Sequence, residues 1–352
     1  MAEKNSLTAS MPDTIKIRHR VGWFDTFGLR PFGLRMKETL MVFRGDPHVP
    51  PSKFGVSSLR IFKPGIAIPT WLGLRRKDKR IPLYNLFNHT QTPIEDGWSV
   101  RVTQVQDFRG GELGYNSHNG TDFAIPVGTP VTTAAPGRVL LVSNEFNRGG
   151  LKIFMEHGDG LMTSYNHMSR CFVQAGQDVR RGEVIGLSGA SGVENVLCFP
   201  WVAPHVHFNV WLNGDYVDPF PRVGTNEVSL WKAGSHPKPH QGEGLPLEEE
   251  FTPTTWDRES LQEAIRSCKV EELRARLERV EDPGQQAMLI HMQSHYFPGR
   301  FAHRPQLYTK SFPRTPSLDL PFRAEDFVGV TYPGFQEDFE NPTSHDSPSE
   351  PA

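Results

Sequence analysis

The sequence has few cysteines and no long apolar stretch, and both absences restrict what the protein can be. Its 352 residues include only three cysteines, whose spacing matches neither a zinc knuckle nor a disulfide framework. The most apolar early stretch, residues 64–74, contains two prolines and two glycines and is too short for a membrane-spanning helix. Residues 1–16 are polar and lack the apolar centre of a classical secretory signal, so the expected location is the cytoplasm by default.

An excess of charge of either sign is also absent. The chain has 38 lysines and arginines against 40 aspartates and glutamates, a formal net charge of -2. This balance gives no general attraction to nucleic acid or to an anionic membrane surface. We therefore expect no nucleic-acid partner and no membrane span, and the sequence leaves the oligomeric state open.

The pattern of residues changes along the chain and predicts five segments. The middle segment has strand-like stretches roughly every eight to twelve residues, separated by glycine-containing turns, and shows no helical period. The expected fold class is mainly β, with an antiparallel core, an irregular N-terminal region and a C-terminal helical region. The segments are an N-terminal region of short strands and loops with unknown role (1–97), the β domain (98–223), a linker (224–255), a helical segment (256–300) and a Pro-rich, partly disordered tail (301–352).

Two helices are predicted in the C-terminal part. Residues 257–280 carry apolar side chains at roughly helical spacing among many charges, and Asp282-Pro283-Gly284 follows as a stop signal. A second helical piece is expected over residues 285–296. The last residues, 344–352, have the composition of a disordered tail.

Three short stretches of the β segment carry the residue types of a metal site. They contain His118 and Asp122, His167, and the pair His205 and His207, which together supply four imidazoles and one carboxylate. A catalytic zinc takes three such ligands and keeps a fourth position for water or substrate. On a strand, residues two apart point to the same face, so one histidine of the pair can bind metal while its neighbour faces the substrate. The two histidines that are not ligands are then available for proton transfer.

Each stretch taken alone is a weak indication. With 14 histidines in the chain, one chance His-x-His pair is about as expected as not. His291 and His295 also have a spacing that suits metal ligands on a helix, but the glutamate of His-Glu-x-x-His is missing, and an ordinary helix surface is favoured. Cys198 is interpreted as a small buried thiol.

The glycine pattern around the three stretches resembles a known family. The matching stretches are, in chain order, His118-Asn-Gly-Thr-Asp122-Phe-Ala-Ile-Pro, Ala135-Pro-Gly-Arg-Val139, His157-Gly-Asp-Gly160, Thr163-Ser-Tyr-Asn-His167, Gly176-Gln-Asp-Val-Arg-Arg-Gly182 and His205-Val-His-Phe208. Residues 102–219, about a third of the chain, are thereby similar to the catalytic domain of the LytM/lysostaphin-type zinc metallopeptidases, peptidase family M23.

The resemblance implies a fold and a division of roles. It implies a twisted antiparallel sheet with one zinc ion in a groove flanked by loops. It implies that His118, Asp122 and His207 bind the zinc, and that His167 and His205 are the catalytic pair. Zinc polarises the scissile carbonyl and lowers the pKa of its water toward 7. Which of the two catalytic histidines is the general base stays open.

One stretch departs from the family pattern. Residues 193–204 are longer than the usual turn before the His-x-His pair. We expect this loop, with Phe199 and Trp201, to form one wall of the groove and to alter the choice of substrate. No ligand is removed by the change.

The resulting hypothesis is a zinc-dependent endopeptidase that hydrolyses peptide bonds with a metal-activated water. The family's substrates are peptidoglycan crosslinks or Gly-rich peptides, and the expected partner is a substrate of this type. One alternative is a catalytically inactive M23-like scaffold or binding module, which the presence of all five site residues disfavours. Another is a sugar-phosphotransferase carrier, which the carboxylate of Asp122 and the His-x-His pair disfavour.

Overall fold

The computed structural model describes residues 18–242 and 251–333 of the chain. Within these residues, eleven strands form one sheet in which almost every pairing is antiparallel. The mainly β fold predicted from the sequence is confirmed. The strands are β1 Arg80–Asn85, β2 Thr121–Ala124, β3 Pro130–Thr132, β4 Gly137–Glu145, β5 Gly150–Glu156, β6 Leu161–Cys171, β7 Asp178–Val179, β8 Val184–Ser188, β9 His205–Leu212, β10 Asp215–Tyr216 and β11 Gly329–Thr331.

The sheet runs in the order β11-β1-β2-β9-β6-β5-β4-β7. Strand β8 pairs with β6 and β3, and the short strand β10 pairs with β9. Strands β11 and β1 pair in parallel, while β1 and β2 are antiparallel. Strand β9 therefore lies inside the sheet, between β2 and β6.

Helices surround this sheet. The α-helices of the described residues are α1 Trp23–Phe27, α2 Phe32–Arg44, α3 Pro64–Trp71, α4 Val193–Leu197, α5 Arg258–Ser267, α6 Glu271–Glu278 and α7 Pro283–Tyr296. None of the helices formed by residues 18–242 and 251–333 has the length and apolar composition needed to cross a bilayer.

Strand β9 is buried on both faces because a core lies on each side of the sheet. Its even-numbered residues from Val206 to Leu212 join one cluster, which includes Trp231 and Phe322. On the other face Trp211 packs with residues of α5, α6 and α7. Since side chains alternate along a strand, the remaining odd-numbered residues of β9 share the face of Trp211.

The N-terminal region differs from the expectation of short strands and loops. Its described residues, 18–97, contain α1, α2 and α3 and one regular strand, β1. The helical period was hidden because several apolar residues of α2 face solvent, so its apolar positions do not form one buried stripe. The exposed apolar residues of this helix are Phe32, Leu34, Met36, Leu40 and Phe43.

The helix predicted over residues 257–280 is interrupted. Strand-like pairing of Cys268 with Phe301 separates α5 from α6, and the backbone N–H of Lys269 donates to the carbonyl of Arg300. Pairing with a segment distant in sequence therefore overrides local helix propensity at this point. The second predicted helix agrees with α7.

The segments predicted as linker and tail contribute to the core. Leu230 and Trp231 are fully buried, as are Leu318, Leu320 and Phe322 of the proline-rich segment. The acidic run at 248–250 and the predicted disordered residues 344–352 lie outside the described residues. The boundaries proposed between segments stay predictions.

Replacement of Trp231 tests the structural role of the predicted linker. Its ring is fully buried and stacks on Phe208 of β9, with ring centroids 5.6 Å apart. Trp231→Ala is expected to lower the free energy of unfolding by about 3–5 kcal/mol, the usual loss for a buried aromatic side chain. Urea unfolding measures this change, and the exposed neighbour Lys232→Ala serves as the control. A change within about 0.5 kcal/mol for Trp231→Ala, typical of surface positions, would contradict this packing role.

A fragment of residues 98–223 is expected not to fold on its own. It lacks β1, which pairs with β2, and it lacks the aromatic rings of Trp231 and Phe322 that pack on Phe123. Circular dichroism during heating, compared with the full chain, measures the effect. A cooperative transition of the fragment at the midpoint of the full chain would show that the flanks are dispensable for folding.

Candidate metal centre

Sheet pairing brings the separate sequence stretches together. Asp122 of β2 lies directly opposite His207 of β9. Asn166 of β6 lies opposite the same histidine on its other side. Residues directly opposite in an antiparallel pair have Cβ atoms about 4.5–5.5 Å apart. The centre of the site is therefore fixed by the backbone register of three adjacent strands.

His118 precedes β2 and is fully buried. Its Nδ1–H donates to the backbone carbonyl of Leu86, 2.6 Å away. Its Nε2 lies 3.1 Å from Asp122 Oδ1. Asp122 Oδ1 is also 2.6 Å from His207 Nδ1, and its Oδ2 accepts a hydrogen bond from the Asn85 amide at 2.7 Å. One atom from each of His118, Asp122 and His207 lies within 4.8 Å of the other two.

His167 reaches the site through an irregularity in β6. Its φ is +61°, in the left-handed region that a residue with a side chain seldom adopts. The pairing between β5 and β6 shifts register next to it, as at a β-bulge, which redirects side chains and is frequent near active sites. Its Nδ1–H donates to the Ser191 carbonyl at 2.6 Å, so the lone pair of Nε2 is the free one.

His205 lies beside His167 on the same side of the sheet. The centroids of the two rings are 4.6 Å apart. Nδ1–H of His205 donates to the Ala203 carbonyl at 2.8 Å, and its Nε2 lies 3.7 Å from Asp122 Oδ2. All five residues predicted from the sequence are thus brought into one buried cluster. Their individual roles stay predictions.

Burial and mutual proximity set the protonation states. Burial opposes ionisation of Asp122, but the surrounding imidazoles hold the pKa of its carboxyl well below its usual range. Burial lowers the pKa of His167 well below its ordinary value, and the neighbouring His205 and His207 act in the same direction. Burial also lowers the pKa of His207, against the opposing effect of Asp122. Metal ions are bound by ionised carboxylates and by imidazoles in their neutral form.

The contact between His118 and Asp122 fits a cation. A carbonyl oxygen only accepts hydrogen bonds, so the short contact with Leu86 requires the proton of His118 on Nδ1. The lone pair of Nε2 then faces the carboxylate, and this nitrogen has no hydrogen-bond partner among the described residues. Two buried acceptors 3.1 Å apart repel each other unless a positive charge lies between or beside them. Two imidazoles and one carboxylate are a suitable donor set for zinc.

The long loop before β9 lines the site in a different way from the expectation. Phe199 and Trp201 are 40% and 48% exposed, and Phe199 packs on Trp23, Phe27 and Trp71 rather than in the cleft next to the histidines. The Phe199 side chain instead covers apolar surface of the N-terminal helices. The residues of this loop that line the cleft are Val193, Glu194, Leu197 and Cys198.

Two other sequence interpretations are corrected. His291 and His295 were assigned to an ordinary helix surface, but both are buried, because α7 is enclosed along most of its length. Burial lowers the pKa of His291 to about 3 and keeps that ring neutral. Cys198, expected to be buried, is half-buried at the edge of the cleft.

Several contributors to the site were not predicted from the sequence. Asn209 follows His207 by two residues on β9, and its amide nitrogen lies 2.9 Å from His207 Nε2. The strand alternation that paired His205 with His207 also predicts this position. Asn85 and the carbonyl of Leu86 come from a distant strand and carry no local signal in the sequence.

Comparison with known proteins gives matches to the same part of the chain. The profile of peptidase family M23 matches residues 116–219. The chain is 41% identical over 97 residues to the peptidoglycan DD-endopeptidase ShyA of Vibrio cholerae, covering 28% of this chain and 21% of that protein. It is 37% identical over 102 residues to an uncharacterized metalloprotease of Haemophilus influenzae, covering 29% and 20%. The chain thus spans about a fifth of the length of these curated relatives.

Solved structures give similar matches. A zinc-containing peptidase from Vibrio cholerae is 30% identical, with 41% of this chain and 36% of that chain covered and a TM-score of 0.30. The catalytic domain of the prophage-encoded M23 protein EnpA from Enterococcus faecalis is 31% identical, with 32% and 82% covered and a TM-score of 0.27. The profile match and the curated relatives show that residues 116–219, about a third of the chain, are similar to peptidase family M23.

Proposed function

We propose that the chain is a zinc-dependent endopeptidase that cleaves peptide crosslinks of the peptidoglycan type. The observation that carries this proposal is the buried set of His118, Asp122 and His207, in which His118 Nε2 lies 3.1 Å from the Asp122 carboxylate with no hydrogen bond between them. The names of the family relatives, which include peptidoglycan DD-endopeptidases, support the substrate class. The expected cytoplasmic location stays a prediction.

The residues divide the chemistry between them. When bound by His118, Asp122 and His207, zinc supplies Lewis-acid polarisation of the scissile carbonyl and a water acidified toward neutrality. The backbone carbonyls at Ser191 and Ala203 accept hydrogen bonds from Nδ1–H of His167 and His205, so the lone pair of each neutral ring lies on Nε2. A proton taken from the attacking water by one of these imidazoles is delivered to the leaving nitrogen as the C–N bond breaks.

The low pKa of His167 suits this proton transfer. A neutral imidazole in the resting site accepts a proton, and its short residence as an imidazolium favours donation to the departing amine. His205 lies 4.6 Å from it, ring to ring, so both histidines reach the same reacting groups. We assign the two together to proton transfer and oxyanion stabilisation.

Replacing a ligand is expected to remove the metal. His118→Ala, Asp122→Ala and His207→Ala each leave two protein donors, too few for a stable zinc site. Metal analysis of the purified variants is expected to fall from about one zinc per chain to a small fraction of that value. His303→Ala, at a half-exposed histidine paired with Glu263, is the control and keeps the metal. Full zinc occupancy in His118→Ala would overturn the ligand assignment.

Replacing a catalytic histidine is expected to separate metal binding from turnover. His167→Ala and His205→Ala keep stoichiometric zinc and lose about a hundredfold to ten-thousandfold in kcat, the usual contribution of general acid–base catalysis. The assay follows hydrolysis of a peptidoglycan crosslink and of a pentaglycine peptide, with and without chelator. Wild-type protein that binds zinc but hydrolyses neither substrate would favour the scaffold alternative instead.

A further inference from the structure

A cleft of about 230 Å³ opens beside His167 and His207. One of its walls comes from residues 42–62, which lie outside the segment that matches the family. Phe43 and Phe54 of this wall stack with ring centroids 5.9 Å apart. The apolar residues of the wall are Val42, Phe43, Phe54, Leu59, Ile61 and Phe62.

Arg148 is the one arginine or lysine among the described residues that line this cleft. Its side chain lies between two aromatic rings, with Cζ 5.4 Å from the ring centroid of Trp98 and 5.7 Å from that of Phe297. The residue is 6% exposed. Arg148 is therefore the positively charged side chain of a cleft whose wall from residues 42–62 is mainly apolar.

The turn between β4 and β5 holds Arg148 next to the catalytic histidine. The carbonyl of Gly149 accepts the backbone N–H of His167 at 2.8 Å. Gly149 and Gly150 both have positive φ, and a Cβ at Gly150 would lie 2.3 Å from the backbone of Ser191. Because only glycine permits this approach, the turn packs directly against the strand and the loop that carry the site.

No carboxylate of the described part of the chain lies within salt-bridge distance of the Arg148 guanidinium. Its Nη1 donates to the carbonyl of Asn147, while its buried Nε has no hydrogen-bond partner there. Lys152 gives the contrast within the same hairpin, since its ammonium is fully buried and pairs with Glu145 at 2.7 Å. Buried charges are almost always paired, so the charge of Arg148 lacks the partner that Lys152 has.

Glu194 is not within salt-bridge distance of Arg148, although its charge acts on the guanidinium from within the same cleft. It lines the same cleft, but its carboxylate lies next to the catalytic imidazole, with Oε1 3.5 Å from His167 Nε2. Burial raises the pKa of Glu194 against the lowering effect of Arg148, and the Glu194 side chain is still 40% exposed. Burial lowers the pKa of Arg148 only to about 10, so the guanidinium remains charged.

We propose that Arg148 binds a free carboxylate of the peptide substrate, while the apolar wall formed by residues 42–62 packs against the adjacent side chain. This inference rests on the proposed peptidase function. The planar fork of a guanidinium matches a carboxylate in two parallel hydrogen bonds, and the flanking rings hold it in place. The preferred substrate is then a crosslink that carries a carboxylate and a side chain near the scissile bond, rather than a glycine-only bridge.

The test compares crosslinked tetrapeptide dimers that differ in one group. One dimer has free α-carboxylates, and the other has the same peptides as α-carboxamides. Wild-type protein is expected to show kcat/KM about tenfold to a hundredfold higher for the acid, chiefly through KM, as for a hydrogen bond to a charged group. End-blocked pentaglycine is expected to be cleaved more slowly than the acid dimer.

Variants locate the preference at Arg148. In Arg148→Gln the ratio of kcat/KM for the acid dimer to kcat/KM for the amide dimer is expected to fall toward one. In Arg148→Lys the same ratio is expected to fall to an intermediate value, because lysine keeps the charge but lacks the planar guanidinium. Arg300→Gln is the matched control, since Arg300 stacks on the same Phe297 ring, with Cζ 4.0 Å from its centroid, but does not line the cleft. It is expected to keep the wild-type ratio. Thermal unfolding and zinc content are measured for each variant.

Two failures are distinguishable. Equal kcat/KM for the acid and amide dimers with wild-type protein would overturn the role of Arg148 while leaving the peptidase intact, and this comparison does not depend on any variant folding. An unchanged acid-to-amide ratio in folded Arg148→Gln would also overturn it. The absence of chelator-sensitive hydrolysis of all three peptides would contradict the proposed function itself.

Discussion

The pairing of β9 with its two neighbours is the constraint on which the site depends. With β2 on one side and β6 on the other, the backbone register places Asp122 opposite His207 without any adjustment of side chains. The apolar residues at alternate positions of β9 fix that register, since a slip by one residue would exchange the buried and site-facing sets. The packing of Val206, Phe208 and Val210 in the core therefore also determines which histidines can meet a metal.

The regions outside the family segment are structural parts of this site. Strand β1 continues the sheet and supplies Asn85 to the candidate metal centre, and the next residue, Leu86, supplies its carbonyl. Residues 42–62 supply a wall of the cleft, and residues 230–231 and 318–322 close the core behind β9. The segment that matches the family thus omits contacts that complete both its core and the cleft beside the candidate site.

Local sequence signals predicted the parts of the fold that depend on local chemistry. Alternation in His205-Val206-His207 and the turn glycines around His118 follow from backbone geometry, so the β class and the cluster of five residues were predictable. The break between α5 and α6 depends on Phe301, and the solvent-facing apolar residues of α2 obscure its helical period. Phe199 was placed in the wall because of its position in the loop, but the side chain packs on Trp23, Phe27 and Trp71. These features depend on contacts distant in sequence.

The proton positions of three histidines are set by main-chain oxygens, those of Leu86, Ser191 and Ala203. A main-chain carbonyl is present whatever side chain its residue carries. Substitutions at these three positions therefore leave the acceptor in place. Alanine scanning, which removes side chains, would not reveal the role of these residues. The backbone conformation therefore determines the tautomers of these three histidines, whatever side chains the three carbonyl-bearing residues carry.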